Sequence, residues 1–220
     1  MTRRLMPWTA LAMSLACAVC ASQAWATDPV PGNNSGSFII KITPNVDLGV
    51  TVDTTGAAWV GDTDLYVDMD LGATKLLGTG VKLTVAGNFQ NQEFQLSGAA
   101  NSTWALDTTV DDEQDKVRLY AMIGADQNAE LAGSAQYDGV GNLITTGASR
   151  AGQAQSDESG DSLHTYEFAT GAGAEYADVD GMVVSTARRL WLRADTPSQS
   201  TVADEQQFTI TVTAVSGAGL

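Results

Sequence analysis

One histidine, no serine elbow and twenty-six carboxylates bound the chemistry open to this 220-residue chain. His164 stands in Leu-His-Thr-Tyr-Glu, and no Gly-x-Ser-x-Gly accompanies it, so a Ser-His-Asp arrangement has no signature here. Zinc sites built from several His or Cys ligands need more donors than one histidine and the two cysteines, Cys17 and Cys20, of the apolar N-terminal stretch. Paired carboxylates are compatible with glycoside hydrolysis, yet none lies in the aromatic, apolar context that raises a pKa for acid catalysis. No catalytic residue is assigned, and the expectation is a protein that is not an enzyme.

The acidic loops leave one cofactor to weigh. Calcium takes several oxygen ligands in flexible geometry. Asp62 with Asp64, Asp68 with Asp70, Asp111-Asp112-Glu113 with Asp115, and Asp178 with Asp180 are the clusters, and none has the spacing of an EF-hand. Asp62, Asp64, Asp111, Asp112 and Asp115 are the candidate calcium ligands, so the expected cofactor is none or calcium. The competing reading is that these carboxylates keep strand edges soluble. A formal charge of −15 excludes a phosphate-neutralising face, so neither nucleic acid nor an anionic membrane surface is an expected partner.

Export is written at the N-terminus. Arg3 and Arg4 precede an apolar run, Leu11–Ala21, that is shorter than the roughly 20 residues of a membrane span. Ala24-Trp25-Ala26 then matches the small-x-small pattern of signal-peptide cleavage. Residues 1–26 are therefore expected to be removed, with both cysteines, leaving a chain without disulfides. The expected location is extracellular or at a bacterial cell surface, with the periplasm as an alternative, and without membrane insertion after cleavage.

The elements that must position any site are strands. Residues 27–36 (TDPVPGNNSG) form a flexible leader. In Ser37–Thr43 (SFIIKIT), Phe38, Ile40 and Ile42 share one face, and Pro44 ends the pattern. The same period-2 alternation recurs at 48–53, 64–71, 81–85, 93–96, 103–107, 116–123, 189–194 and 207–215. A hydrophobic content of 44% against 17% charged residues provides for a packed core. About nine or ten short strands predict an all-β fold, an antiparallel β-sandwich of Greek-key or jelly-roll type, as a single domain over 37–220. The polar stretch 146–162 (TGASRAGQAQSDESGDS, from Thr146) reads as a long surface loop. Trp104 and Trp191 lie in alternating runs and belong to the core, whereas Trp59, Tyr66 and Tyr176 are candidates for stacking on a ligand such as a sugar ring.

Two resemblances bear on function. Trp104-Ala105-Leu106, with a threonine-rich final strand, resembles the W-x-L domains of bacterial surface proteins, which implies a β-rich module associated with the cell wall. A flexible leader ahead of an alternating apolar strand resembles the organisation of donor-strand pilins and other secreted β-sandwich filament subunits. That resemblance implies that Phe38, Ile39, Ile40 and Ile42 form an assembly strand, with Phe208, Ile210 and Val212 as an acceptor edge, pairing in cis or in trans. The expectation is an exported, non-enzymatic structural or adhesive surface protein that assembles with itself into filaments or binds other surface proteins. The alternative is a secreted carbohydrate-binding or calcium-dependent module with glycans as partners.

Overall fold

Among the described residues of the computed structural model there are twelve strands, one 3-10 turn (Val140–Asn142) and no α-helix. Described are residues 39–127, 137, 140–152, 154–156, 162–164, 166 and 177–217. The chain divides at Thr43/Pro44 into two units, and every strand belongs to the second. The strands are β1 (Leu48–Asp53), β2 (Ala58–Trp59), β3 (Thr74–Thr79), β4 (Val81–Gly87), β5 (Gln92–Ala100), β6 (Ala105–Leu106), β7 (Lys116–Ala125), β8 (Ser149–Arg150), β9 (Ala154–Ser156), β10 (Ser162–His164), β11 (Ala187–Asp195) and β12 (Phe208–Ser216).

The larger sheet is organised around β11. One edge of β11 pairs with β4 (Leu190↔Val81) and then with β3 (Arg193↔Leu76), and the other edge pairs with β7 along eight residues from Arg188↔Ala125 to Asp195↔Arg118. β3 and β4 thus act as one long strand broken at Gly80. A Cβ there would lie 3.0 Å from the Trp191 ring and 3.0 Å from Leu190 O, so only glycine lets the strand pass the buried indole. β1 adds to β4 and β2 to β3, and β6 joins β7 in the single parallel pairing recorded. A three-stranded sheet is β12-β5-β8, with β12 and β5 in register over nine residues, and β9 with β10 forms a third, two-stranded sheet. The seven- and three-stranded sheets both supply the core, in which Leu83, Val85, Phe94, Leu96, Ile123 and Trp191 are almost wholly removed from water.

The all-β expectation holds, with several corrections inside it. Residues 64–71 alternate but form turns and irregular backbone, because Asp64 Oδ1 accepts from Tyr66 N and Leu65 O accepts from the Trp59 indole. The local hydrogen bonds of an Asx-turn here take the place of a ladder. The strand expected over 103–107 contracts to β6. β3 carries no clean alternation and is held by its neighbours on both edges. Within 146–162, Ser149–Arg150 joins the edge of β5, Ala151 is buried, and β9 pairs with β10, so this stretch is not one surface loop. The described residues of the expected first strand, Ile39–Thr43, form no strand.

A buried amide ties the two sheets. Gln92, at the start of β5, is inaccessible to solvent. Its Nε2 donates to Ala86 O at 2.8 Å and Phe89 O at 2.8 Å, and its Oε1 accepts from Gly49 N at 3.1 Å. Its own backbone exchanges two hydrogen bonds with Met182. Gln92→Leu keeps the volume and removes all three side-chain bonds, so it is expected to cost about 2–4 kcal/mol. Urea unfolding followed by circular dichroism measures this; a loss below about 0.5 kcal/mol, the range of ordinary surface substitutions, would overturn it.

Candidate functional site

Two features are candidates, each within its own unit: the apolar segment at 39–42 and, in the second unit, an edge of the sheet that holds β12. Ile39, Ile40 and Ile42 are exposed to 86%, 69% and 84%, values foreign to isoleucine in a folded chain, and they make no backbone hydrogen bond to another described residue. Phe38 lies outside the described residues. Past Pro44, the chain is fastened to the end of β4. Asp47 N donates to Asn88 Oδ1 at 2.7 Å, Asn88 N to Asp47 O at 3.0 Å, and Asn88 Nδ2 to Asn45 O at 3.2 Å. These bonds extend the β1–β4 pairing beyond Leu48↔Gly87 and keep Asn45–Asp47 in line with β1.

The edge of β12 can be read from the bonding of β5. Gln92 N donates to Met182 O, Ala151 N to Phe94 O, and Gly98 N to Thr145 O, so these even-numbered residues face away from β12. The rungs to β12 therefore come from Glu93, Gln95, Ser97 and Ala99, opposite Val215, Thr213, Thr211 and Thr209. Phe208, Ile210, Val212 and Ala214 are left with N–H and C=O turned to the open side. Their side chains stand opposite Ala100, Gly98, Leu96 and Phe94 and lean on the core, of which Phe208, Ile210 and Val212 are half-buried members. β1 repeats the pattern. Val85 bonds to Ser185 and Thr186, so Val50, opposite it, directs its backbone outward while its side chain reaches the core. β1 and β12 come within 8 Å between Cα atoms but share no rung. Both sheets thus present an unpaired edge at one seam, lined by half-covered apolar side chains.

The aromatic candidates separate. Trp59 is 7% exposed and its indole N–H donates to Leu65 O at 2.9 Å, so it is a core residue and not a surface platform. Being paired with β3 closes it in; its position between Ala58 and Val60 gave no sign of that. Tyr66 is exposed to 59% and its hydroxyl reaches Asp68, whose charge raises the phenol pKa. Tyr176 lies outside the described residues, as do residues 1–38 with the leader. Trp191 is buried and Trp104 half-buried, its indole donating to Ser200 Oγ.

The acidic candidates serve as loop fasteners. Asp62 accepts from Lys75, and Asp64 caps the turn at Tyr66. Asp112 accepts from Ser198 N, while Asp115, at a φ of 57°, accepts from Ser200 Oγ, Thr201 N and Thr201 Oγ1. Asp111 is exposed. Among the described residues no three His, Cys, Asp or Glu side chains converge as a metal-binding group would. His164 sits on β10 opposite Ala154. The reading from sequence passed over Asp107, which is buried with Oδ1 bonded to Thr109 and Oδ2 without a hydrogen-bond partner. No described helix is long and apolar enough to cross a membrane.

The hydrogen bonds from Thr201 and Ser200 hold the Asp115 carboxyl below its ordinary value of 3.8, and Ser198 does the same for Asp112. A depressed carboxylate pKa stabilises the fold above the unfolded-state value, and the contribution disappears as pH falls through the folded one. Asp115→Asn, which still tolerates the positive φ, is expected to melt lower than the parent at pH 7, with the difference shrinking below about pH 3.8. Melting curves across pH 2–7 check this; a gap that persists unchanged into acid would overturn it. No protein-family model matches the chain, and no curated protein matches it.

Proposed function

We propose that this protein is an exported, non-enzymatic structural subunit of a bacterial surface, a β-sandwich that assembles with copies of itself through its N-terminal segment. The observation that carries the reading is the run Ile39–Ile42, three exposed isoleucines ahead of a sheet that ends in an open edge. A chain in water does not keep such a run uncovered without cost. Burying each isoleucine stabilises by roughly 1.5–3 kcal/mol, so the apolar face of one short strand offsets much of what association costs. The leader pattern of residues 1–26 supports export, and the charge of −15 keeps the body of the protein soluble until a specific contact forms.

The glycan-binding alternative loses Trp59 to the core and rests on Tyr66, an exposed ring beside Asp68. A glycan signal that disappears in Tyr66→Ala would favour it.

Light scattering and electron microscopy of the chain from Thr27 onward, beside one beginning at Pro44, separate these readings. Oligomers or fibres are expected from the longer form alone, with both forms melting within a few degrees because every strand among the described residues lies beyond Pro44. Monomers from both at high micromolar concentration would overturn the proposal.

A further inference from the structure

We infer that Lys41 is a processing site: a protease of trypsin-like specificity hydrolyses the Lys41–Ile42 bond and separates residues 42–220 from Phe38, Ile39 and Ile40. The step consumes one water, which leaves a carboxylate on Lys41 and an amino group on Ile42. That the cut also ends assembly rests on the function proposed above.

Three observations select this bond. The first is where the basic residues stand. Of the eleven, Arg3 and Arg4 belong to the stretch expected to be removed on export. Lys75 is in β3, Lys82 in β4, Lys116 and Arg118 in β7, Arg150 in β8, and three arginines are in β11. Lys41 alone remains, and it stands in no strand. A protease takes its substrate as an extended segment whose backbone is free to bond to the enzyme. A residue inside a ladder meets that condition only after local opening, which is rarest in a strand paired on both edges, as β11 is. Ile39, Ile40 and Ile42 meet it as they are, exposed and without a backbone hydrogen bond to another described residue.

The second is the state of the side chains. A protease of this specificity receives a free cation against a carboxylate in its pocket. The cations of the strands are already held: Lys75 by Asp62, Lys82 and Arg189 by Asp126, Lys116 by Glu113 and Arg150 by Glu93. Arg193 pairs with Asp195, while Arg118 and Arg188 donate to the carbonyls of Val110 and Asp178. Lys41 is exposed and makes no ion pair or hydrogen bond to another described residue. The third is charge along the chain. Residues 29–46 contain no Asp or Glu although the protein carries −15, so no neighbouring carboxylate in the sequence opposes entry into an acidic pocket. Losing the residues before Ile42 also spares the fold, because Asn45 and Asp47 stay fastened to Asn88 and β1 keeps its whole register with β4.

The test uses the exported chain, expected to begin at Thr27, with trypsin as the probe and at a concentration where light scattering shows no assembly. Mass spectrometry is expected to find one early cut, giving a product that begins at Ile42, about 100-fold or more faster than cutting at any lysine or arginine of a strand. Lys41→Gln is expected to stay intact over the same time, and Lys41→Arg to be cut as the parent is. The product is expected to melt within a few degrees of the uncut chain. First cuts inside the strands, or a parent cut no faster than Lys41→Gln, would overturn the processing site and leave the proposed function standing. Concentrated after protease treatment, the cut chain is expected to need an about 30-fold or higher concentration to assemble, whereas treated Lys41→Gln assembles as the untreated parent does. A cut chain that assembles as readily as the uncut one would overturn the control of assembly. An uncut parent that stays monomeric would defeat the proposed function itself, and the masses would still decide the processing site.

Discussion

The amide of Gln92 is the constraint on which the arrangement of the sheets depends. A side chain with no access to water must satisfy its donors and acceptor inside the protein, and the partners of this one come from three places: Gly49 on β1, Ala86 on β4 and Phe89 in the turn before β5. No rung joins β12 to β1, so nothing in the ladders themselves fixes the end of the small sheet against the end of the large one. Gln92 does so, and its backbone holds Met182 in addition. A second polar group steadies the opposite end of β11. There Asp195 accepts both Arg193 nitrogens and Thr74 Oγ1, and Arg193 lies 5.0 Å from the centre of the Tyr120 ring. Between these two points the core packs by ordinary apolar contact.

Such a construction fixes one end of the seam and leaves its length unbonded. Exposed edges are commonly blunted with lysine, proline or a bulge. β12 has none of these: its nine residues, FTITVTAVS, carry no charge and pair without interruption. Its protection against indiscriminate pairing comes from β1, which runs within 8 Å of it between Cα atoms, and from the repulsion between whole molecules of charge −15. Repulsion of that kind is long-ranged and screened by salt, whereas a ladder acts only at contact. The combination tolerates an edge without backbone rungs.

Much of this was legible in the sequence where alternation and pairing agree. β4 and β12 have inward residues at every second position, whereas β7 and β11 are buried on both faces over 119–124 and 190–192; the chain has a neighbour ready on at least one side of each. Alternation reports a face, however, and not the existence of a partner. Residues 64–71 alternate as well as β12 does, yet Asp64 and the Trp59 indole satisfy that backbone locally and leave no need for a ladder. β3 is the converse case, a strand made by two neighbours out of a sequence with little pattern. Trp59 was misplaced for the same reason, since what buries it is the pairing of β2 with β3. Asp112 and Asp115 resemble cation ligands in composition, and only the fold reveals that the 198–201 loop supplies their hydrogen-bond donors. The role of Gln92 has no sequence signal at all, because a glutamine at a strand start reads as polar and exposed.

Residues 39–42 bring these points together. Their pattern specifies a strand as clearly as that of β12, yet among the described residues they form no strand, and their isoleucines stand exposed. In 64–71 the missing ladder is explained by local hydrogen bonds; around Ile39, Ile40 and Ile42 no such bonds are recorded. Sequence period and structure therefore differ here, and no competing hydrogen bond is seen among the described residues. A segment with strand character and apolar content, exposed among the described residues, is where the proposed contact with a second copy would gain most from burial.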